Sequence, residues 1–280
     1  MAKVEQEETL MNYLINEMGR KRNDVKNLLK YGNVSVNGEV QTHHAFALHA
    51  GDDVQIGKPV HVSLPFPILY EDKQIIVIDK PSGLVSEETA HNHDKTAFAI
   101  VKNYLKAKRE DIYLVHRLDQ ETSGVLMFVK NRTLYETLTH QWNTCVTKRG
   151  YIALVEGRLP KERGTIENYL AEGKSQQVYV AKGNQGKKAI THYQVLKTNR
   201  MYSMVEVFLD TGRKNQIRVH FSSVLHHPLV GDRKYGNTCD VARRLCLHAH
   251  VFAFKNPMTG EEMRFVSKTP EIFDKLMKKG

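Results

Sequence analysis

Residues 111–130 read DIYLVHRLDQETSGVLMFVK, two apolar runs around a segment in which Arg117, Asp119, Gln120, Glu121 and Thr122 all carry functional groups. The flanking runs are rich in β-branched and large apolar side chains and read as strands, and Ser123-Gly124 supplies turn residues between them. Polar loops held between rigid strands are where reactive groups are positioned. If the first strand extends to Leu118, alternation puts Arg117 and Asp119 on one side and His116 and Leu118 on the other. Asp119 then stands at a strand end beside a cation. On the residues alone two roles stay open for it: a reactive carboxylate, or a turn-capping group paired with Arg117.

Around this stretch, residues 68–280 hold many short β-rich runs, among them IIVIDK (75–80), YIALVEG (151–157), QVYVAK (177–182), ITHYQVL (190–196), MYSMVEVFL (201–209), LCLHAHVFAF (245–254) and EEMRFV (261–266). Helical periodicity appears in AFAIVKNYLKAK (97–108), NRTLYETLTHQW (131–142) and NQIRVHFSSVL (215–225). Strands and helices do not alternate regularly, so the expected class is α+β with a mixed, largely antiparallel sheet rather than a doubly wound one.

The N-terminal part reads differently. Leu10, Met11, Leu14, Ile15 and Met18 form a helical stripe ending at Gly19; a second helix follows Arg22, with Asn23 as its cap, Val25, Leu28 and Leu29 as its apolar side and Gly32 as its stop. NVSVNGEV (33–40) carries Asn37-Gly38, a strong hairpin-turn signal, and GDDVQI (51–56) supplies a further strand. Pro65 and Pro67 mark a boundary, and HVSLPFPILYED (61–72) reads as a linker into IIVIDKPSG. Two domains are expected, a small α-α-β module over 1–62 and a larger domain over 63–280.

Lys and Arg total 41 against 31 Asp and Glu, a formal charge of +10 that favours an anionic partner. Residues 1–60 hold seven Lys or Arg against eight Asp or Glu, yet Arg20, Lys21, Arg22, Lys26 and Lys30 face one Asp within 20–30, a local basic surface. In the larger domain Arg213, Lys214 and Arg218 crowd the start of the helix after TGRK, where cations and free N–H groups can hold phosphate or a carboxylate. No signal peptide or apolar run of membrane length is present, and three cysteines are too few for a disulfide framework, so a cytoplasmic protein is expected. Cys239, Cys246, His248 and His250 fit no standard zinc spacing. No metal or cofactor is expected.

HRLDQETSG (116–124) resembles the HRLD-x-x-TSG signature of the RluA family of pseudouridine synthases at every fixed position. In the order of that family, ILYEDKQIIVIDKPSGL (68–84), KRGYIALVEG (148–157), TGRKNQIRVH (211–220), HPLVGDRKYG (227–236) and LHAHVFAFKNPMTGEEMRF (247–265) resemble its other motifs, a likeness spanning roughly 66–270. KNLLKYGNVSVNG (26–38) resembles the small S-four-type RNA-binding domain that many members carry. The chain departs from the pattern at Asn215, where the family usually has His, at Arg149 and Gly150 before Tyr151, and in SEETAHNHDK (86–95).

The resemblance implies an enzyme that turns uridine into pseudouridine in RNA, ribosomal RNA before transfer RNA. The glycosidic bond to the uracil nitrogen is broken and remade at ring carbon 5, with no redox step. A carboxylate suffices, as nucleophile on ribose or base or as a base at the adjacent ribose carbon. By resemblance that carboxylate is Asp119, Arg218 pairs with it and favours its anion, Tyr151 lies against the target base, and Arg117 stands beside the flipped nucleotide. Lys148, Arg213, Lys214 and the basic stretch Arg20, Lys21, Arg22, Lys26 and Lys30 are the expected RNA contacts of a monomeric protein. Two other classes were weighed. A non-catalytic RNA-binding protein would not need HRLDQETSG, Tyr151 and Arg218 intact, and a hydrolase would need a second acid such as Glu121 opposite Asp119.

Overall fold

A computed structural model describes residues 3–57, 64–87, 95–108, 110–236 and 241–279, so most of SEETAHNHDK, Cys239 and the 62/63 boundary lie outside the described residues. The chain forms two compact units, Met1–Pro65 with Phe98–Ile112, and Phe66–Ala97 with Tyr113–Gly280. The division departs from a single cut near 62: the stretch 98–112 groups with the N-terminal residues. It adds no strand to the large sheet, so no ladder of hydrogen bonds ties it there.

In the first unit, β1 (Glu8–Thr9) leads into α1 (Leu10–Asn16), and α2 (Arg22–Lys30) precedes β2 (Val34–Val36), β3 (Glu39–Val40), β4 (Ala47–Leu48) and β5 (Val54–Ile56). Leu10, Leu14, Val25, Leu29, Val34, Val36, Leu48 and Val54 bury together, as the apolar periodicity predicts. Asn37 and Gly38 both take positive φ, 52° and 83°, the geometry of a two-residue hairpin turn. Asn23 is not the cap of α2. Lys21 holds that position with no side-chain cap bond, because the helix starts two residues earlier.

The second unit opens with β6 (Ile68–Glu71) and β7 (Ile75–Lys80) and, after α3 (Ala97–Ala107), which from Phe98 onward groups with the first unit, resumes with β8 (Tyr113–Leu114) and β9 (Ser123–Val129). Then follow α4 (Arg132–His140), α5 (Trp142–Cys145), β10 (Val146–Glu156), β11 (Arg163–Glu172), β12 (Val178–Val180), β13 (Lys187–Thr198) and β14 (Tyr202–Leu209). After α6 (Gln216–Val219), which continues into a π-helical turn over His220–Val224, come β15 (Leu247–Lys255), β16 (Glu262–Val266) and α7 (Glu271–Lys279). One sheet of eleven strands runs β12-β11-β13-β14-β10-β15-β9-β7-β6, with β16 on β15 and β8 on β9. Among the described strands only β9 and β15 pair in parallel, so the class is α+β with a largely antiparallel sheet. Apolar clusters cover it, one around Val77, Met127, Phe252 and Phe254 and another around Val155, Val207, Ile217 and Phe221.

The parallel pair sits beside the Asp119 loop. Gly124 takes φ 114° there, and a Cβ would lie 2.2 Å from the Ala249 carbonyl oxygen, so only glycine lets β9 start this close to β15. The strand before the loop stops at Leu114 rather than Leu118, because the imidazole Nε2 of His116 accepts the Met127 N–H at 3.1 Å in place of a backbone carbonyl. Burial holds His116 neutral, its pKa pushed down to about 3.

The loop is then fastened to the KPSG turn after β7. Ser86 Oγ donates to the Leu118 carbonyl at 2.6 Å and accepts the Leu118 N–H at 3.1 Å. Gly83 N–H donates to the Gln120 carbonyl at 2.8 Å and Ser82 Oγ to the Glu121 carbonyl at 2.7 Å. Lys80, fully buried, closes the set by donating through Nζ to the carbonyls of Pro81 at 3.0 Å, Leu84 at 2.7 Å and Gln120 at 3.1 Å. Burial pushes the Lys80 pKa down to about 7, but three acceptors demand three N–H bonds, which only the ammonium has. Lys80→Met strands those carbonyls. A loss of about 2–4 kcal/mol is expected from unsatisfied buried acceptors, read as a lower urea midpoint of Trp142 emission; an unchanged midpoint contradicts the staple.

Candidate active site

Among the described residues the bonds that fasten the 118–121 segment run through its backbone or Gln120, and the Asp119 carboxylate has no hydrogen bond or ion pair. It is half-buried in the wall of a cleft of about 630 Å³. Arg117, Arg149, Tyr151, Glu172, Arg213 and Lys214 are among its polar lining, and Leu118, Trp142, Leu209, Ile217 and Leu247 among its apolar one. This mixture of an apolar box with a few converging polar groups is that of a small-ligand pocket. An adjoining cleft of about 610 Å³ shares Arg117, Leu118, Asp119 and Lys214 and adds Glu121, Asn215, Arg218 and Lys234.

Burial raises the pKa of Asp119; Arg218, then Arg117, oppose the rise, and Glu121 adds to it. Arg218 does not pair with Asp119 directly, contrary to the sequence expectation. Its Nε and Nη2 form a two-point bridge to the buried Asp232 carboxylate at 2.8 and 2.6 Å, and Nη1 reaches Glu121 at 2.7 Å. The guanidinium fork is thereby filled, and its plane lies over the Tyr235 ring at 5.3 Å. Arg218 acts on Asp119 as a fixed charge near it, not as a ligand. Asp232 is itself fixed by N–H bonds from Lys234 and Tyr235, both 3.0 Å.

Tyr151 extends from β10 into the same cleft. A register shift between Gly150 and Tyr151 on β15 places it, and burial pushes its phenol up to about 12, so it stays protonated. Arg117 is exposed and ion-pairs with Glu87. Arg213 is exposed, with Nε on the Lys188 carbonyl at 2.9 Å, and Lys214 pairs with Glu172 at 2.5 Å. The buried Gln216 amide shapes this loop: its oxygen accepts from Thr211 Oγ1 at 2.9 Å and Arg213 N–H at 3.0 Å, while its nitrogen donates to Ile190 and Thr191. Asn215, the departure from the family pattern, takes φ 52° and donates to the Tyr235 hydroxyl at 3.0 Å. Asn tolerates that left-handed turn.

Of the expected site residues, the structure gathers Asp119, Tyr151, Arg117, Arg213 and Lys214 around one cleft, with Arg218 in its neighbour. Lys148 lines a third cavity alongside. Arg20, Lys21, Arg22, Lys26 and Lys30 are exposed on the first unit, the last lying over Tyr31 at 5.3 Å. Lys80, Asp232, Gln216 and Trp142 were not singled out for the site by sequence; Lys80 and Asp232 lie inside the quoted DKPSG and GDRKYG stretches, which is the signal that could have found them. Glu121 shares the adjoining cleft with Asp119 and is committed there to Arg218, while Glu172 of the first cleft is committed to Lys214. Among the described residues no cluster of three metal-ligating side chains occurs, and no helix is long and apolar enough to cross a membrane.

A family model described as RNA pseudouridylate synthase matches residues 74–223, which includes the Asp119 loop, Tyr151 and Arg218. Similar proteins include an uncharacterized RNA pseudouridine synthase of Bacillus subtilis, YjbO, 34% identical over 88% of this chain and 90% of that protein. The ribosomal large subunit pseudouridine synthase D of Zymomonas mobilis is 30% identical over 95% of this chain and 90% of that protein. In fold, the human RNA pseudouridylate synthase domain containing 4 superposes with a TM-score of 0.61 at 24% identity, covering 74% of this chain and 90% of that one. With more than half of the chain matched and relatives at 30% identity or more aligned over most of its length, the chain belongs to the RNA pseudouridylate synthase family.

Proposed function

We propose that the cleft isomerises specific uridines of structured ribosomal RNA in the cytoplasm, with Asp119 as the reacting carboxylate. The observation that carries this reading is the Asp119 side chain, unengaged among the described residues, set by backbone bonds and lining with Tyr151 a cavity able to admit one nucleotide. A uracil stacked in RNA does not reach such a carboxylate, so the target must be extruded into the cleft. Arg117, at its mouth, can take the place of the extruded base once its pairing with Glu87 opens.

Isomerisation breaks the bond from ribose C1′ to uracil N1 and forms one from C1′ to C5; the C5 hydrogen leaves to solvent as a proton and the freed N1 takes one up. Whether Asp119 attacks or accepts a proton, the anion is the working form. Arg218 and Arg117 supply positive charge that favours it in a site where burial does not. Tyr151, held protonated, offers a ring face to the base and a hydroxyl that can donate.

The first unit is assigned a supporting role as an S-four-type RNA-binding module. Arg22, Lys26 and Lys30 follow one another at i, i+4 and i+8 on α2, a basic ridge for phosphates. The preference for ribosomal RNA draws on the relative named for the large ribosomal subunit.

With [5-³H]uridine-labelled total RNA from cells lacking this chain, the wild type should release tritium and Asp119→Asn should be slower by at least ~10³-fold. Equal release by both would remove Asp119 from the chemistry. Fractionation of the same RNA should place the release in ribosomal rather than transfer RNA. Release from transfer RNA alone would reverse the substrate assignment.

A further inference from the structure

Trp142 is the only tryptophan in the chain and stands between two cavities. The second, about 530 Å³, shares Trp142, Arg149, Leu209, Gly212 and Arg213 with the catalytic cleft. Arg149 forms the partition: its Nη2 donates to the carbonyls of Leu209 at 3.0 Å and Asp210 at 2.6 Å. A Cβ on Gly212 would lie 2.8 Å from Arg149 Nη1, so the glycine leaves the guanidinium its place.

This second cavity is positively charged. Lys148, Arg149 and Arg213 line it against one acid, Asp210, whose carboxylate is already engaged by His192 at 2.8 Å. Lys148 is only loosely held, 3.9 Å from Glu206 and over the Phe208 ring at 4.6 Å. Neutral polar groups from Asn143 and Thr147 complete the lining. Trp142 itself is braced by Phe252 and His116, with ring centroids at 6.0 and 5.9 Å, so its orientation is set before anything binds.

An RNA substrate is a continuous chain. When one uridine occupies the catalytic cleft its neighbours remain attached and must lie in adjoining space. Unstacked bases are held on aromatic faces and guanidinium planes, with cations on the phosphates between them. We propose that the Trp142 cavity receives the nucleotide adjacent to the target uridine, its base against the indole and the linking phosphate at Arg213. This rests on the synthase reading above. It makes the enzyme a reader of a flanking base, with Asn143 and Thr147 as the groups facing that base's edge.

Two measurements test it. Titration with hexauridylate should quench Trp142 emission saturably, whereas uridine monophosphate at the same nucleotide concentration should quench it far less. In the tritium assay Trp142→Phe, which keeps an aromatic face, should hold KM within about threefold, while Trp142→Leu, which keeps the apolar packing, should raise KM about tenfold with a much smaller effect on kcat. A Leu variant that melts with the wild type and keeps the wild-type KM overturns the proposal, as does emission that hexauridylate leaves unchanged. A wild type that releases no tritium overturns the synthase reading instead, and the inference falls with it.

Discussion

Three carbonyl oxygens, of Pro81, Leu84 and Gln120, converge on the Lys80 ammonium, and the placement of the 118–121 loop depends on that convergence. A loop of polar residues has no core of its own to hold it. Here the fixed point is borrowed from β7, whose last residue is Lys80, so the KPSG turn and the 118–121 segment become one hydrogen-bonded block. The bonds go to backbone atoms and leave the Asp119 side chain free. A loop held by its side chains would have spent the carboxylate that is proposed to react.

The second constraint is electrostatic. Asp119 is taken far enough from water for burial to raise its pKa, yet the anion is the form that the proposed reaction requires. A direct ion pair would secure the anion and also occupy it. The structure instead places Arg218 nearby with its fork already filled by Asp232 and its remaining nitrogen on Glu121. Its charge is felt at Asp119 while its hydrogen bonds are made elsewhere. Replacement of Arg218 would also leave Asp232, wholly buried, without its partner, so damage there extends beyond the reaction.

Much of this was legible in the sequence. Alternating β-branched runs gave the sheet, Asn37-Gly38 gave the hairpin, and HRLDQETSG gave the loop, because each is a local pattern. What escaped were features fixed by distant partners. β11 carries its buried residues Ile166 and Leu170 four apart amid polar neighbours, so its strand character comes from pairing with β12 and β13 rather than from its own alternation. The early end of β8 depends on one imidazole eleven residues from the N–H it accepts. The partner of Arg218 depends on a buried aspartate fourteen residues away that sequence had no reason to prefer over Asp119. Lys80 reads as one more surface cation until the turn folds over it.

The central claim is that the Asp119 carboxylate is half-buried, without a hydrogen bond or ion pair among the described residues, and tuned by charges that do not touch it. Titration of the side-chain carboxyl ¹³C signals of aspartate-labelled protein, with Asp119→Asn used to assign the resonance, measures this directly. A pKa above the ordinary aspartate range is predicted, since burial outweighs the opposing pull of Arg218 and Arg117. A value at or below that range would mean that a cation grips the carboxylate in solution, and the separation of charge from contact would be wrong.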